Sequence, residues 1–212
     1  MAFSWRRANP LGALKLLGSH PELTGLSIVN FLLYFAHHVF SAVFVLHAAY
    51  RFGWSSWEVG MTLALWGALD ALVQGVLVGP VVKRIGDRAT MLIGLAVGGV
   101  GLAGLGLAAT PWQYIAALVV SALWGFAMPT LMSLMTQRVS EREQGQLQGA
   151  NMSVASIAGI ASPLFFGWLY SVTVGPLAWV EAPGLAYLIA AAILLGAAAL
   201  GLVVARRAVA RG

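Results

Sequence analysis

Asp70, His37 and His38 combine a side chain that can exchange protons with a position well inside an apolar run. Asp70 is the one charged residue between Val59 and Val82, and Gln74 follows it four positions later. Read as a membrane-crossing helix, this run places Asp70 about 17 Å from its start at ~1.5 Å per residue, near the middle of a ~30 Å hydrocarbon layer. A carboxylate at that depth costs on the order of 2.5–3.5 kcal/mol to insert, so it faces a cavity or a partner and marks a functional site by default. Low dielectric disfavours the ionised form, which lets such an acid trade protons near neutral pH. Gln74 can donate to the ionised acid or accept from the protonated one. Thr62, Trp66, Asp70 and Gln74 are each four apart and share a helix face. The competing reading is a structural acid paired with a histidine of the preceding run. Against it, no lysine or arginine stands inside the apolar runs as a fixed counter-ion.

Asn30, Tyr34, His37, His38 and Ser41 recur at spacings of three and four and form a polar stripe on the preceding run. Such a stripe serves either a hydrated path, with histidine available for proton exchange, or hydrogen bonding between helices. His47, nearer the end of that run, is expected at interfacial water. Further on, Gly94 and Gly98 form a GxxxG pattern suited to close helix packing. Pro129 should kink the fourth run and free carbonyls near a cavity. Asn151 is the polar group of the fifth run that could touch a substrate. Ala155, Gly159, Pro163 and Gly167, spaced by four, offer a small-residue packing face.

The elements that must position these residues are transmembrane helices. The 212 residues are 60% hydrophobic and 9% charged, where a soluble domain carries about 25% charged residues. The expected organisation is a lead-in segment (1–22), a domain (23–205) of six crossing helices, and a tail (206–212). The helices fall at about 23–47, 59–82, 89–109, 112–137, 149–171 and 183–205, each near the ~20 residues a crossing needs. Continuous rather than alternating apolar runs argue against strands. Eleven of the twelve basic residues fall in alternate connections, and Arg51 alone lies on the other side. The positive-inside rule then puts both termini in the cytoplasm. The net charge of +5 is thus read as topology rather than nucleic-acid binding. With no cysteine, disulfides and thiolate metal sites are excluded. An enzyme is disfavoured, because no span offers a nucleophile–base pair or HExxH spacing and no connection could hold a soluble site.

Two stretches carry a family resemblance. The connection from Gly79 to Arg88 resembles the signature loop of the major facilitator superfamily, matching at Gly79, Arg84, Gly86 and Arg88. Lys83 stands where that pattern has aspartate, and Asp87 where it has a basic residue. The block Gln144-Gly145-Gln146-Leu147-Gln148-Gly149, with Ser162-Pro163-Leu164-Phe165-Phe166 after it, resembles the start of the eleventh span of the tetracycline/proton antiporters. Val43–Leu46 and Arg51–Trp54 resemble the same family. The resemblance covers nearly the whole chain but only the C-terminal half of a twelve-span member.

It implies an all-α integral membrane bundle, half of a major facilitator fold, in a bacterial inner membrane. The implied function is proton-coupled efflux of a tetracycline-like drug, which in the family leaves as its divalent-metal chelate, with no cofactor. Asp70 falls where many members carry a proton-coupling histidine, four residues before a glutamine matching Gln74. His37 or His38 would relay the proton, and Asn30, Tyr34, Gln74 and Asn151 would line the path. Some members have an acid inside the ninth span, where this chain has Gly94 and Gly98. Partners would be drug, protons, lipid, and an N-terminal half or a second copy. The alternatives are export of another amphiphile, or a truncated membrane protein that does not transport without its other half.

Overall fold

The computed structural model describes residues 16–18, 21–175 and 178–209. Most of the expected lead-in segment, with Arg6, Arg7 and Lys15, lies outside them, as do the last three residues of the tail. Every regular element among the described residues is helical. The helices are α1 (Pro21–His37), α2 (Val39–Phe52), α3 (Ser56–Leu72), α4 (Val78–Leu107), α5 (Pro111–Ala122), α6 (Ala127–Thr136), α7 (Gln144–Thr173) and α8 (Leu185–Val209).

The helix ends follow local sequence. Gly53 takes φ 65° after α2, the left-handed closing position that a glycine occupies at no steric cost. Ser55 and Glu58 then form a reciprocal capping box for α3, with Glu58 Oε2 accepting from the Ser55 N–H at 2.7 Å. Thr110, Pro111 and Gln113 start α5 in the same way, with proline in the first turn, where a missing N–H costs nothing.

Five helical runs are long and apolar enough to cross a membrane: Glu22–Phe52, Ser56–Leu107, Pro111–Thr136, Gln144–Thr173 and Leu185–Val204. The second has 52 residues, about 78 Å at ~1.5 Å per residue and twice one crossing. It is divided at Gly86, whose φ of 79° and ψ of 163° interrupt the helix. Two segments result, 56–85 and 87–107, so the five long runs make six helical stretches. The turn expected over Gly79–Arg88 is thereby reduced to a single residue. Helix already runs from Val78, so Gly79 and Arg84 lie inside it and are exposed, while Gly86 alone makes the break. Asp87, at the start of the next segment, accepts from Ser133 Oγ and Gln137 Nε2, both at 3.0 Å. A carboxylate there also suits the positive end of the helix dipole.

Segment 87–107 is the centre of the packing, in contact with α5, α6 and α8, while α1 lies between α7 and α8. Glycine permits the closeness. A Cβ on Gly94 would fall 2.8 Å from the Ala127 nitrogen, one on Gly98 2.9 Å from Trp124 Cβ, and one on Gly101 2.6 Å from Ser121 Cα. By contrast, α3 packs mainly on α5 and buries only Val59 and Thr62. The small-residue face expected on α7 is half used. Gly159 approaches the His38 ring, but Gly167 meets nothing within 4 Å. A polar tie between α7 and α1 is the hydrogen bond from Ser162 Oγ to the Phe35 carbonyl, 2.6 Å.

Gly101→Ala should destabilise the fold by about 1–3 kcal/mol through overpacking. Gly79→Ala, at an open helical position, should stabilise by up to about 1 kcal/mol. Thermal aggregation midpoints of the detergent-solubilised variants should therefore move in opposite directions.

Candidate functional site

Two irregular segments lie against each other in mid-bundle. A π turn, Val73–Leu77, interrupts the helix directly after Asp70 and includes Gln74. Opposite it, a 3-10 turn, Leu123–Phe126, separates α5 from α6. The second has a sequence cause. Pro129 lacks an N–H, so the carbonyl four residues earlier, that of Gly125, loses its helical donor. The first re-aims one turn of α3, as single π turns do at functional sites.

Asp70 is seated between these segments. Gln74 Nε2 donates to Asp70 Oδ2 at 2.7 Å. A Cβ on Gly125 would come within 2.8 Å of Asp70 Oδ1, so glycine leaves the room that the carboxylate occupies. Asp70, Gln74, His37, Trp66, Gly125 and Met128 line a cavity of about 50 Å³. That is space for one or two waters, with polar groups to hold them. The His37 ring lies between two indoles, 5.8 Å from Trp66 and 5.4 Å from Trp124. Trp66 in turn stacks on Phe40 at 4.9 Å and 26°. On the other side of His37 and Trp66 lies a larger groove of about 290 Å³, lined by His38, Ser41, Phe44 and Leu63. His37 and Trp66 are thus a shared wall between a small cavity with polar lining groups and a mostly apolar groove.

The predicted site residues divide into three groups. Asp70, Gln74 and His37 come together around the cavity. Tyr34 reaches its wall, donating to Met128 Sδ at 3.5 Å. Asn30 and Asn151 do not line it. They are buried and bonded to each other, Nδ2 to Oδ1 at 3.3 Å, and Asn151 Nδ2 also donates to Met132 Sδ. The stripe over Asn30–Ser41 is broken at the α1–α2 junction, where His38 turns toward α7 and the groove. His47 departs from its expected interfacial position: it is 1% exposed, with Nδ1 on the Pro183 carbonyl at 3.1 Å. Of the loop residues, Arg88 lines a small cleft with Glu22 and Arg138 at one end of the bundle. There Arg138 Nε and Glu22 Oε2 pair at 2.8 Å, a partly exposed contact worth on the order of 1 kcal/mol.

Sequence reasoning missed Gly125, although its place four residues before Pro129 was a usable signal. It also missed the Glu22–Arg138 pair, the Asp87 clamp on α6 and the Ser162 tie, because each joins positions far apart in sequence.

Residues 26–211 match the sequence profile of the Major Facilitator Superfamily. The chain belongs to that superfamily. It is 36% identical over 173 residues to the class G tetracycline resistance protein of Vibrio anguillarum, covering 82% of this chain and 44% of that one. It is 31% identical over 196 residues to the class C tetracycline resistance protein of Escherichia coli, covering 90% and 48%. A hippocampus abundant transcript-like protein 1 of Bos taurus is 25% identical over 167 residues, covering 79% and 33%. The chain therefore spans less than half the length of each of these relatives. With its apolar helices, the superfamily membership makes it a multi-pass membrane protein.

Gly125→Ala should force the Asp70 carboxylate to rotate away from its seat. The carboxyl band in the infrared spectrum, identified by its loss in Asp70→Asn, should then move. An unmoved band would mean that Gly125 does not seat the acid.

Proposed function

We propose that this chain is the C-terminal half of a proton-coupled exporter of tetracycline-like drugs, with six crossings and both termini in the cytoplasm. Asp70 binds the transported proton and His37 passes it on. His38 borders the drug groove, and Gln74 and Tyr34 face the proton and drug path. The Asn30–Asn151 pair closes one end of that path and opens when α1 and α7 separate. The observation that carries this reading is the meeting of Asp70, Gln74 and His37 around one cavity at mid-helix. Similarity to two tetracycline resistance proteins supports the substrate class.

The coupling follows from elementary energetics. A neutral Asp70 sits more cheaply in an apolar wall than an ionised one. Proton binding therefore favours the state in which the groove closes on it, and proton loss favours the hydrated, open state. Drug bound in the groove touches the His37–Trp66 wall, so each ligand alters the other's surroundings. Moving one charge across 100 mV supplies about 2.3 kcal/mol. Alternating access requires a second bundle against which this one rocks, and the relatives' greater length is consistent with an N-terminal half.

One observation favours a second reading, export of a different amphiphile. Beyond Asp87 at its start the third segment has no acid, and Gly94 and Gly98 are pressed so closely on Ala127 and Trp124 that a carboxylate could not replace them in place. Competition by other amphiphiles for the same uptake separates the two readings.

In inside-out vesicles with an acidic lumen, the chain combined with a family N-terminal half should accumulate tetracycline. Asp70→Asn should lower that uptake on the order of 100-fold. Uptake by the Asp70→Asn variant at the level of the unaltered chain would overturn the proton role. No tetracycline uptake by an inserted, paired protein would overturn the drug assignment.

A further inference from the structure

His47 takes no part in the function proposed above, yet it is the most enclosed histidine among the described residues. It lies at the end of the bundle opposite the Glu22–Arg138 pair. Its Nδ1 is 3.1 Å from the Pro183 carbonyl. A carbonyl only accepts, so Nδ1 carries the hydrogen and a neutral ring presents Nε2 as a bare lone pair. That Nε2 is buried and has no hydrogen-bond partner in the structure, and neither has the buried Tyr170 hydroxyl. Orphaned buried polar atoms are uncommon and call for an explanation. These two belong to one aromatic box, their rings meeting edge-on with centroids 6.3 Å apart. The other hydroxyls of the box are occupied: Tyr114 and Tyr187 bond each other at 2.8 Å.

We propose that His47 and Tyr170 form a second proton-binding site, distinct from Asp70. Beside it lies a vestibule of about 300 Å³ that is lined by His47, Arg51, Glu181 and Leu188, and the box must part slightly to let a water reach the buried Nε2. One proton passes from a hydronium ion in the vestibule to Nε2, leaving water and an imidazolium. The Nδ1–H bond to Pro183 is unchanged, so the segment before α8 stays tied.

The surroundings suit an imidazolium that must sit away from bulk water. The ring stacks on Tyr114 at 5.6 Å and 20°, a cation–π geometry, and touches Tyr187 and Phe52 at 5.3 and 6.0 Å. The Tyr170 oxygen accepts from the new N–H, directly or through a water. Of the charged groups facing the site, Arg51 on α2 opposes the proton and Glu181, before α8, favours it. Tyr50 holds that carboxylate at 2.8 Å. From α5, α7 and α8 the facing titratable groups are Tyr114, Tyr170 and Tyr187, and α4 contributes Gly106 to the vestibule. His47 follows His37 by ten residues, about 15 Å along the helix. In an exporter this site would hold a proton on its way to the Asp70 cavity. That role rests on the proton-coupled reading; the binding itself does not.

The test is nitrogen NMR of the full chain, labelled at histidine, in lipid nanodiscs. His47 is assigned by loss of its signal in His47→Gln, or by its sequential link to Ala48 if that variant fails to insert. Near neutral pH, His47 should show a protonated Nδ1 and a bare Nε2. On acidification Nε2 should take up a proton while Nδ1 keeps its own, and Tyr170→Phe should shift the midpoint of that step. A ring protonated at Nε2 instead would overturn the site. So would a ring that stays neutral until the fold is lost, or a Tyr170→Phe midpoint equal to that of the unaltered chain. Failure of the two proposals is distinguishable. A His47 that titrates as described, in a chain whose Asp70→Asn variant still transports, overturns the coupling role of Asp70 alone. A His47 that never titrates, with Asp70→Asn inactive, overturns the second site alone.

Discussion

A carboxyl group held half-way along an apolar helix is the constraint from which the middle of this structure follows. Its oxygens need a donor, room, and some contact with water. Gln74 supplies the donor, Gly125 the room, and the cavity beside His37 the water-sized space. The donor comes from spacing of four on the helix, while irregular backbone lies on both sides of the carboxylate. The π turn re-aims Gln74 and the residues after it, and the 3-10 turn displaces the backbone of Gly125. Regular helices at both places would pack more evenly but would leave the acid without its seat. The irregularities therefore accompany the site rather than merely lying near it.

The rest of the bundle supplies rigidity around this weak region. Segment 87–107 is fixed by glycine-mediated contact on two sides, to α5–α6 and to α8. Polar ties hold one end, where Asp87 grips α6 and Glu22 pairs with Arg138. The opposite end is held by the aromatic box around His47. Between these two ends the contacts that face the cavity and groove are looser. They include a 3.5 Å bond from Tyr34 to the Met128 sulfur and ring contacts around His37. Methionine is soft and adaptable, which suits surfaces that must repack.

Much of this was legible in the residues. Length and hydropathy located the helices, whereas the capping boxes that start two of them, at Ser55 and Thr110, emerged only from the structure. Asp70 and Gln74 were legible as a pair because spacing of four on a helix fixes adjacency. His37 was legible as a neighbour because polar residues inside a membrane seek partners. The turn at Gly79–Arg88 was drawn too wide, since only backbone geometry shows that Gly86 alone carries it. Asn30 and Asn151 were each recognised as polar and in-facing. That they bond each other, and so stand apart from the cavity, depends on the rotation of α1 against α7, which no local pattern records. His47 was placed at the interface from its position near a helix end. The aromatic rings that enclose it come from four separate stretches of the chain.

The break at Gly86 has a mechanical meaning. It joins α3 to the best-packed segment through one residue with unusual backbone freedom, while α3 itself is held mainly along α5. Asp70 lies sixteen residues from that joint, a lever arm of about 24 Å at ~1.5 Å per residue. A rotation of about 5° at the joint sweeps the acid through about 2 Å, several times the ~0.5 Å range over which a hydrogen bond holds. Trp66 rides further out on the same arm, so the small cavity and the large groove change width in a fixed ratio. A tilt too small to disturb the core would thus gear two compartments together.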